Sequence, residues 1–350
     1  MSEIFTIGGR QVGAGHPCFI IAEAGVNHNG DPGIAEELID AAKAAGADAV
    51  KFQTFRTEDL IRGDTDKASY QKETTGASGS QDEMLRKLEL PPAAFRALKE
   101  HADAREILFL SSPFDLGSVD LLEGIEVPAY KVASGEITNI PLLERIASTA
   151  KSVILSTGMA TLSEIEEALI VLRNGGTTEI ALLHAVSNYP ASAGDLNLRA
   201  MVTLREAFHL PVGFSDHTLG LWAPVAAVAL GASVLEKHLT LDRSMAGPDH
   251  RASLTPEGFR EMVTSVRLTE TALGDGMKRP TENEREMRML MRKSLVAAVE
   301  IPEGAIILPG MLVAKRPATG IPPKYLPLFS GRRALRRIPK NGIIDWTMVG

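Results

Sequence analysis

Cysteine is almost absent from this chain. Cys18 stands alone among 350 residues, which excludes an internal disulfide and fits a reducing compartment. Aromatic residues are scarce at 5%, so the core must be built mainly from aliphatic side chains. Long apolar runs are also missing: Leu221 to Leu235, the longest mostly apolar stretch, falls short of the ~20 residues a membrane span needs. Positive charge is not in excess. The net charge of −7 argues against non-specific binding to nucleic acid or anionic membranes, although lysines and helix N-termini can still hold an anion locally. Met1 to Arg10 carries no basic region followed by an apolar run, so no secretory signal is expected and the expected location is the cytoplasm.

What is present is a rhythm of eight short apolar runs, each ending in residues able to do chemistry. Phe19 to Ala22 ends in Glu23, and Ala49-Val50 in Lys51 and Gln53. Leu108 to Leu110 leads to Ser111-Ser112, and Ala129 to Val132, which contains Lys131, leads to Ser134 and Glu136. Val153 to Leu155 meets Ser156-Thr157-Gly158, and Ile180 to Leu183 meets His184 and Ser187. Val212 to Phe214 precedes Ser215-Asp216-His217, and Val234 to Lys237 precedes His238. Stretches with helical periodicity lie between the runs. Strands alternating with helices imply a parallel sheet, and eight such units imply an α/β chain folded as a (β/α)8 TIM barrel. The active site of that fold lies at the carboxyl ends of the strands, so these polar residues converge on one mouth. The chain reads as an enzyme.

At 350 residues the chain exceeds the roughly 250 typical of one barrel, so a small second domain is expected. Residues 1–276 read as the barrel with an N-terminal hairpin that turns at Gly8-Gly9 and closes its floor. Asp31-Pro32 opens the first helix and Gly46 stops it, while Thr161 and Glu164 form a capping box at another. Residues 55–90, polar and glycine-bearing around Thr74 to Ser80, read as a long loop serving as a substrate lid. Residues 277–292 are dense in charge and read as a linker. Residues 293–350 read as a small β-rich domain with turns at Pro302-Glu303-Gly304 and Pro339 to Gly342. Near that size an isolated core is marginal, so docking on the barrel or on another subunit is expected.

His217 and His238 end neighbouring strands beside Asp216 and Glu236, a pattern that favours a divalent ion such as Mn²⁺, Zn²⁺ or Fe²⁺ over two histidines that merely hydrogen-bond. His28 and His184 are weaker candidates to line the same site. Lysines within barrel strands are costly unless they face an anion or a carboxylate. Lys51 and Lys131 therefore admit three readings: anion clamps acting with Ser134, Ser156 and Ser215, a Schiff-base lysine, or salt bridges to Glu23 and Glu136. Glu23 and Glu136 can orient lysines, hold hydroxyls or act as general base. On composition alone Asp249 is better read as a solvated turn.

Seven stretches, in order, carry a resemblance. They are Ile21 to Gly30 (IAEAGVNHNG), Val50 to Thr54 (VKFQT), Tyr130 to Glu136 (YKVASGE), Leu155 to Met159 (LSTGM), Phe214 to Thr218 (FSDHT), Glu236 to His238 (EKH) and Gly247 to His250 (GPDH). In these the chain resembles the sialic acid (N-acetylneuraminate) synthase family of bacterial nonulosonate synthases, over essentially its whole length. Lys293 to Ala297 and Lys315 to Pro317 are similar to that family's C-terminal antifreeze-like (SAF) domain.

The resemblance implies condensation of phosphoenolpyruvate with N-acetylmannosamine, releasing phosphate. The alternative is an N,N'-diacetyllegionaminate synthase acting on 2,4-diacetamido-2,4,6-trideoxymannose. It further implies Mn²⁺ on His217 and His238, and phosphoenolpyruvate held by Lys51, Lys131, Ser134, Ser156, Ser187 and Ser215. Glu23, Gln53, Tyr189 and Asp249 would meet the sugar, and Glu136 would handle the attacking water or its proton. A domain-swapped homodimer would bring Arg316 to the N-acetyl group in a second copy. On this mechanism the Schiff-base reading of the lysines recedes. One departure stands out: after His184 the family commonly has Cys and then, at position 187, Asn or Thr, where this chain has Ala185 and Ser187. The lid segment from Ser69 to Met84 looks more like the neuraminate and legionaminate branches than the pseudaminate one. Two rivals remain: another metal-dependent phosphoenolpyruvate aldolase-type barrel, and a carbohydrate-binding protein in which the small domain dominates.

Overall fold

The structure is a computed structural model that describes residues 4–63, 65–76 and 78–350. The first three residues of the expected leader, and Asp64 and Ala77 of the expected lid, lie outside the described residues. The chain divides into two compact units, Met1–Gly274 and Asp275–Gly350.

In the first unit every expected run is a strand. A hairpin of β1 (Ile4–Ile7) and β2 (Arg10–Gly13) comes first. It turns through Gly8 and Gly9 at φ +53° and +80°, a backbone region that glycine enters without steric penalty. The parallel strands are β3 (Phe19–Gly25), β4 (Ala49–Thr54), β5 (Leu108–Pro113), β6 (Ala129–Val132), β7 (Ser152–Ser156), β8 (Ile180–Ala185), β9 (Val212–Asp216) and β10 (Val234–His238). Their ladder runs β5-β4-β3-β10-β9-β8-β7-β6, and its two end strands meet, giving the barrel. Around it lie α1 (Pro32–Ala45), the lid helices α2 (Thr57–Leu60), α3 (Ser69–Thr75) and α4 (Gln81–Arg86), then α5 (Pro92–Ala104), α6 (Leu116–Gly124), α7 (Ile140–Ala147), α8 (Leu162–Asn174), α9 (Ala200–Phe208), α10 (Trp222–Ala229) and α11 (Pro256–Leu273).

Local chemistry accounts for these boundaries. The Asp31 carboxylate accepts the Gly33 N–H at 2.7 Å, Pro32 fills the first turn, and Gly46 ends α1 at φ +88°. At α8 the Thr161 hydroxyl accepts the Glu164 N–H, and Glu164 reaches back to the Thr161 N–H at 2.7 Å, the expected box. Residues 55–90 are not one loop. Short helices interrupt them, and Met84 and Leu88 bury against Val26 and Phe55 as a small core of their own.

Strand alternation sorts the side chains. Residues pointing outward, such as Val50, Phe109, Val153, Leu182 and Leu235, join helix residues in the main core. Those pointing inward form a lower layer, with Ile21, Leu110, Ile154 and Leu183 meeting Phe5, Ile7 and Val12 of the hairpin. The hairpin thus plugs the amino-terminal end. Gly213 is required there because a Cβ on it would stand 2.2 Å from the Val234 carbonyl oxygen.

The second unit opens with α12 (Glu282–Met291), whose start is fixed by a second capping box from Thr281 and Glu284. The segment read as a linker is therefore largely helical. Beyond it β11 (Ser294–Ala297) pairs antiparallel with β12 (Leu312–Lys315), and further bridges join Ile301 to Ile338 and Ile306 to Arg333. Leu295, Ile301, Phe329 and Ile344 form its own apolar centre. Among the described residues no helix is long and apolar enough to cross a membrane.

Candidate active site

One layer above the apolar plug the same inward positions turn polar. On β3 the step from Ile21 to Glu23 makes this change, on β4 that from Ala49 to Lys51, and on β10 that from Val234 to Glu236. They surround a cavity of about 270 Å³ at the carboxyl ends of the strands. Every barrel residue given a catalytic, substrate or metal role lines this cavity except Glu136, and of the weaker candidates His28 and His184 do not.

At its floor two lysines share two carboxylates. Lys51 Nζ lies 2.6 Å from Glu23 Oε2 and 3.7 Å from Glu236 Oε2, and donates to Ser112 Oγ at 3.2 Å. Lys131 Nζ lies 3.5 Å from Glu236 Oε1, so its carboxylate is Glu236 and not Glu136, the partner named in the salt-bridge reading. Glu236 also accepts the Ser215 hydroxyl at 2.8 Å. Burial would raise the Glu236 carboxyl, but Lys131 and Lys51 overcome it and hold it down at about 2. Burial also works against the Lys51 cation, yet Glu23 and Glu236 hold its pKa above the ordinary value. Lys131, with a weaker partner, is pushed down by burial. All four groups are almost fully buried, so their charges act with little solvent screening.

A hydroxyl cradle lies beside them. The Gly158 N–H donates to Ser134 Oγ at 2.9 Å. A Cβ at Gly158 would stand 2.8 Å from that oxygen and 2.5 Å from Ser187 Oγ, so only glycine lets these two serines approach the loop after β7. Ser156 and Ser215 complete the donors facing the cavity. Hydroxyls and a backbone loop beside two ammonium groups suit an anion with several oxygens.

The histidines stand at the ends of β9 and β10, with Ser215 Oγ 3.4 Å from His217 Nε2. The rings of His217 and His238 are 5.6 Å apart, and the Tyr189 ring lies 4.1 Å from His217. His217 Nδ1 faces the Val186 carbonyl oxygen at 2.7 Å, which can only accept, so Nδ1 carries the proton and Nε2 keeps its lone pair. Burial lowers the pKa of both rings, that of His238 far below the usual value, which favours neutral imidazoles. His238 Nδ1 is buried without a hydrogen-bond partner, 3.7 Å from Asp249 Oδ2. Two neutral nitrogens, one of them orphaned, fit a divalent ion whose other ligands come from substrate and water. Among the described residues no cluster of three His, Cys, Asp or Glu side chains is arranged to hold a metal by itself.

Asp249 is no solvated turn: it is 7% exposed, and burial with Glu23 nearby pushes its carboxyl up to about 7. Gln53 Nε2 donates to Glu23 Oε1 at 3.0 Å and so fixes that carboxylate. Glu136 is only half-buried and accepts from Asn139 Nδ2 at 2.7 Å, away from the cavity lining. His28 accepts the Gly30 N–H and His184 contacts the Leu196 carbonyl, so neither lines the cavity. Arg316 belongs to the second unit, where it is exposed and its Nε donates to the Met291 carbonyl at 3.0 Å.

Sequence reasoning placed Glu236 only beside the two histidines and Ser112 only among the strand-end residues, and assigned neither to a lysine, although both line the cavity. It also passed over the lid residues Tyr70, Met84 and Leu85, which line the cavity and which no periodicity announces. Tyr70 packs on Tyr189 with ring centroids 5.3 Å apart and the rings tilted by 31°.

Comparison with known proteins identifies the family. Residues 38–278 match the NeuB family and residues 292–350 the SAF domain. An N,N'-diacetyllegionaminic acid synthase of Campylobacter jejuni is 49% identical, covering 93% of this chain and 98% of its own. One from Legionella pneumophila is 45% identical, covering 95% of each. The crystal structure of an N-acetylneuraminic acid (sialic acid) synthetase from Leptospira borgpetersenii, in complex with citrate, superposes with a TM-score of 0.72 at 37% identity, over 82% of this chain and 95% of that one. A barrel continued by a SAF domain thus has its counterparts among the synthases of legionaminic and sialic acids, and the chain belongs to the NeuB family of nonulosonate synthases.

Proposed function

We propose that this protein condenses phosphoenolpyruvate with 2,4-diacetamido-2,4,6-trideoxymannose, releasing phosphate, and is an N,N'-diacetyllegionaminate synthase. The sequence alone puts N-acetylmannosamine first. The balance shifts because the two relatives of highest identity described above carry the diacetyllegionaminic name. The observation that carries the choice is an apolar wall. Met84, Leu85 and Leu88 of the lid segment, with Val26 and Phe114, line one side of an otherwise polar cavity. The diacetamido-trideoxy sugar presents three methyl groups where N-acetylmannosamine presents one. Each methyl that finds an apolar partner is worth about 1–3 kcal/mol of discrimination.

In this reading Lys51 and Lys131, with the serines around Gly158, hold the phosphate and carboxylate of phosphoenolpyruvate. Glu23, Gln53, Tyr189 and Asp249 orient the open-chain sugar so that its C1 faces C3 of phosphoenolpyruvate. A divalent ion on His217 and His238, Mn²⁺ in our proposal, would supply Lewis acidity at the aldehyde oxygen. Attack of C3 on C1 forms the new C–C bond and leaves cationic character at C2, close to the Glu23 and Glu236 carboxylates. Water adds at C2, and the tetrahedral adduct loses phosphate by C–O cleavage. Fixing the two reactants face to face contributes several of the ~7–11 kcal/mol available from proximity. Glu136, whose Oε2 accepts from Asn139, would handle the attacking water or its proton. In the proposed domain-swapped homodimer Arg316 would approach the sugar of a second copy, and Arg316→Ala is expected to raise KM for the sugar much more than for phosphoenolpyruvate.

The test is phosphate release from phosphoenolpyruvate with Mn²⁺, comparing the two sugars at matched concentrations. Faster release with the diacetamido sugar is expected. Preference for N-acetylmannosamine would make the protein a neuraminate synthase, and release with neither would overturn the substrate class.

A further inference from the structure

The layer between strands and helices is hydrocarbon almost throughout, as at Phe214 on β9 and Leu235 on β10. Two residues further along each strand the pattern breaks. Asp216 and Lys237 also point outward, are direct cross-strand partners, and are each 1% exposed. Lys237 Nζ donates to Asp216 Oδ2 at 2.5 Å and to the Thr218 carbonyl at 2.6 Å. The Thr218 N–H donates to Asp216 Oδ1 at 2.8 Å.

Nothing in the proposed chemistry uses this pair. Burying two charges in hydrocarbon gains little stability over apolar residues of the same size, so its place calls for another explanation. What hydrocarbon could not do is grip backbone. Asp216 and Thr218 flank His217, and the pair closes a ring around that residue. Lys237 sits between Glu236 and His238, so the same contact ties the ends of the two strands that carry the histidines. Outside the ring, His217 is held at its carbonyl by the Ala191 N–H and at its ring by Val186.

We infer that the Lys237–Asp216 pair is a positioning device that holds the His217 and His238 imidazoles at the separation needed to share one divalent cation, so that it sets metal affinity without touching metal or substrate. Groups that orient metal-ligating histidines from behind typically tune affinity by about 10–100-fold, and this pair would do so through the backbone rather than through either ring. This inference rests on the metal reading given above.

Mn²⁺ binding to the full-length protein without substrates tests it, followed by the electron paramagnetic resonance signal of the free ion. The double variant Lys237→Met/Asp216→Leu removes both charges together, so neither is left buried alone, and it frees the Thr218 N–H and carbonyl from the ring. We expect it to fold, as judged by circular dichroism, to bind phosphoenolpyruvate in chelator as the wild type does, and to bind Mn²⁺ about 10–100-fold more weakly. Unchanged Mn²⁺ affinity in the folded double variant would overturn the inference. Should the double variant fail to fold, Asp216→Asn decides. It keeps an acceptor for the Thr218 N–H but removes the charge that holds Lys237, so weaker Mn²⁺ binding is expected and unchanged binding would overturn the inference. A wild type that binds no Mn²⁺ overturns the metal reading itself, and shows this before any variant is made.

Discussion

The floor and the mouth of the barrel are built from the same strands, one inward position apart, and they obey opposite rules. On the floor Ile21, Leu110, Ile154 and Leu183 meet the hairpin in a dry, uncharged layer. At the mouth Glu23, Lys51, Lys131 and Glu236 are as deeply buried but charged, and they hold one another. The floor is held by hydrocarbon burial. The mouth is held by charge balance, which depends on every partner being present. What the difference teaches is that burial alone does not separate scaffold from site: the chemistry of the buried atoms does.

Breaking the balance at the mouth should have the largest effect. Lys51→Met leaves Glu23 and Glu236 facing each other with only Lys131 between them, and removing one partner of a buried pair costs about 3–5 kcal/mol. Urea denaturation should show that loss and phosphate release should vanish. A variant of wild-type stability would contradict the charge-balance account. A floor variant sharpens the contrast. Ile154→Ala should cost about 2–5 kcal/mol of stability yet leave KM for both substrates unchanged, because the cavity it opens lies below the site. A changed KM would show that the two layers are coupled. The smallest effect is expected at the cradle. Ser134→Ala removes the acceptor of the buried Gly158 N–H, which should cost about 1–3 kcal/mol of stability and raise KM for phosphoenolpyruvate about tenfold, roughly 1.4 kcal/mol. An equal rise for the sugar would place the cradle elsewhere in the reaction.

The legible part of this molecule was the part with a period. Strands showed as apolar runs, and the residues ending them showed as the site, because alternation and parallel topology force them onto one mouth. Capping at Asp31 and Thr161 was legible for the same local reason. The lid was not: its short helices obey no long period, and Tyr70 and Met84 reach the cavity through tertiary packing alone. Lys131 found Glu236 rather than Glu136, because register across several strands decides which carboxylate a lysine meets. The depth of Asp249 was hidden because nothing in Gly247-Pro248-Asp249 says which way its turn faces. Capping also made a helix of residues 282–291, where charge density alone had spoken for a linker.

The central claim is that phosphoenolpyruvate is held by its phosphate and carboxylate while carbon chemistry occurs at C3 and C2. Phosphoenolpyruvate labelled with ¹⁸O at the bridging oxygen tests it directly, with Mn²⁺ and the diacetamido sugar as partners. The account predicts that the label leaves in inorganic phosphate, because the C–O bond breaks after water has added at C2. Label retained in the sugar acid would mean cleavage at phosphorus, and would contradict it.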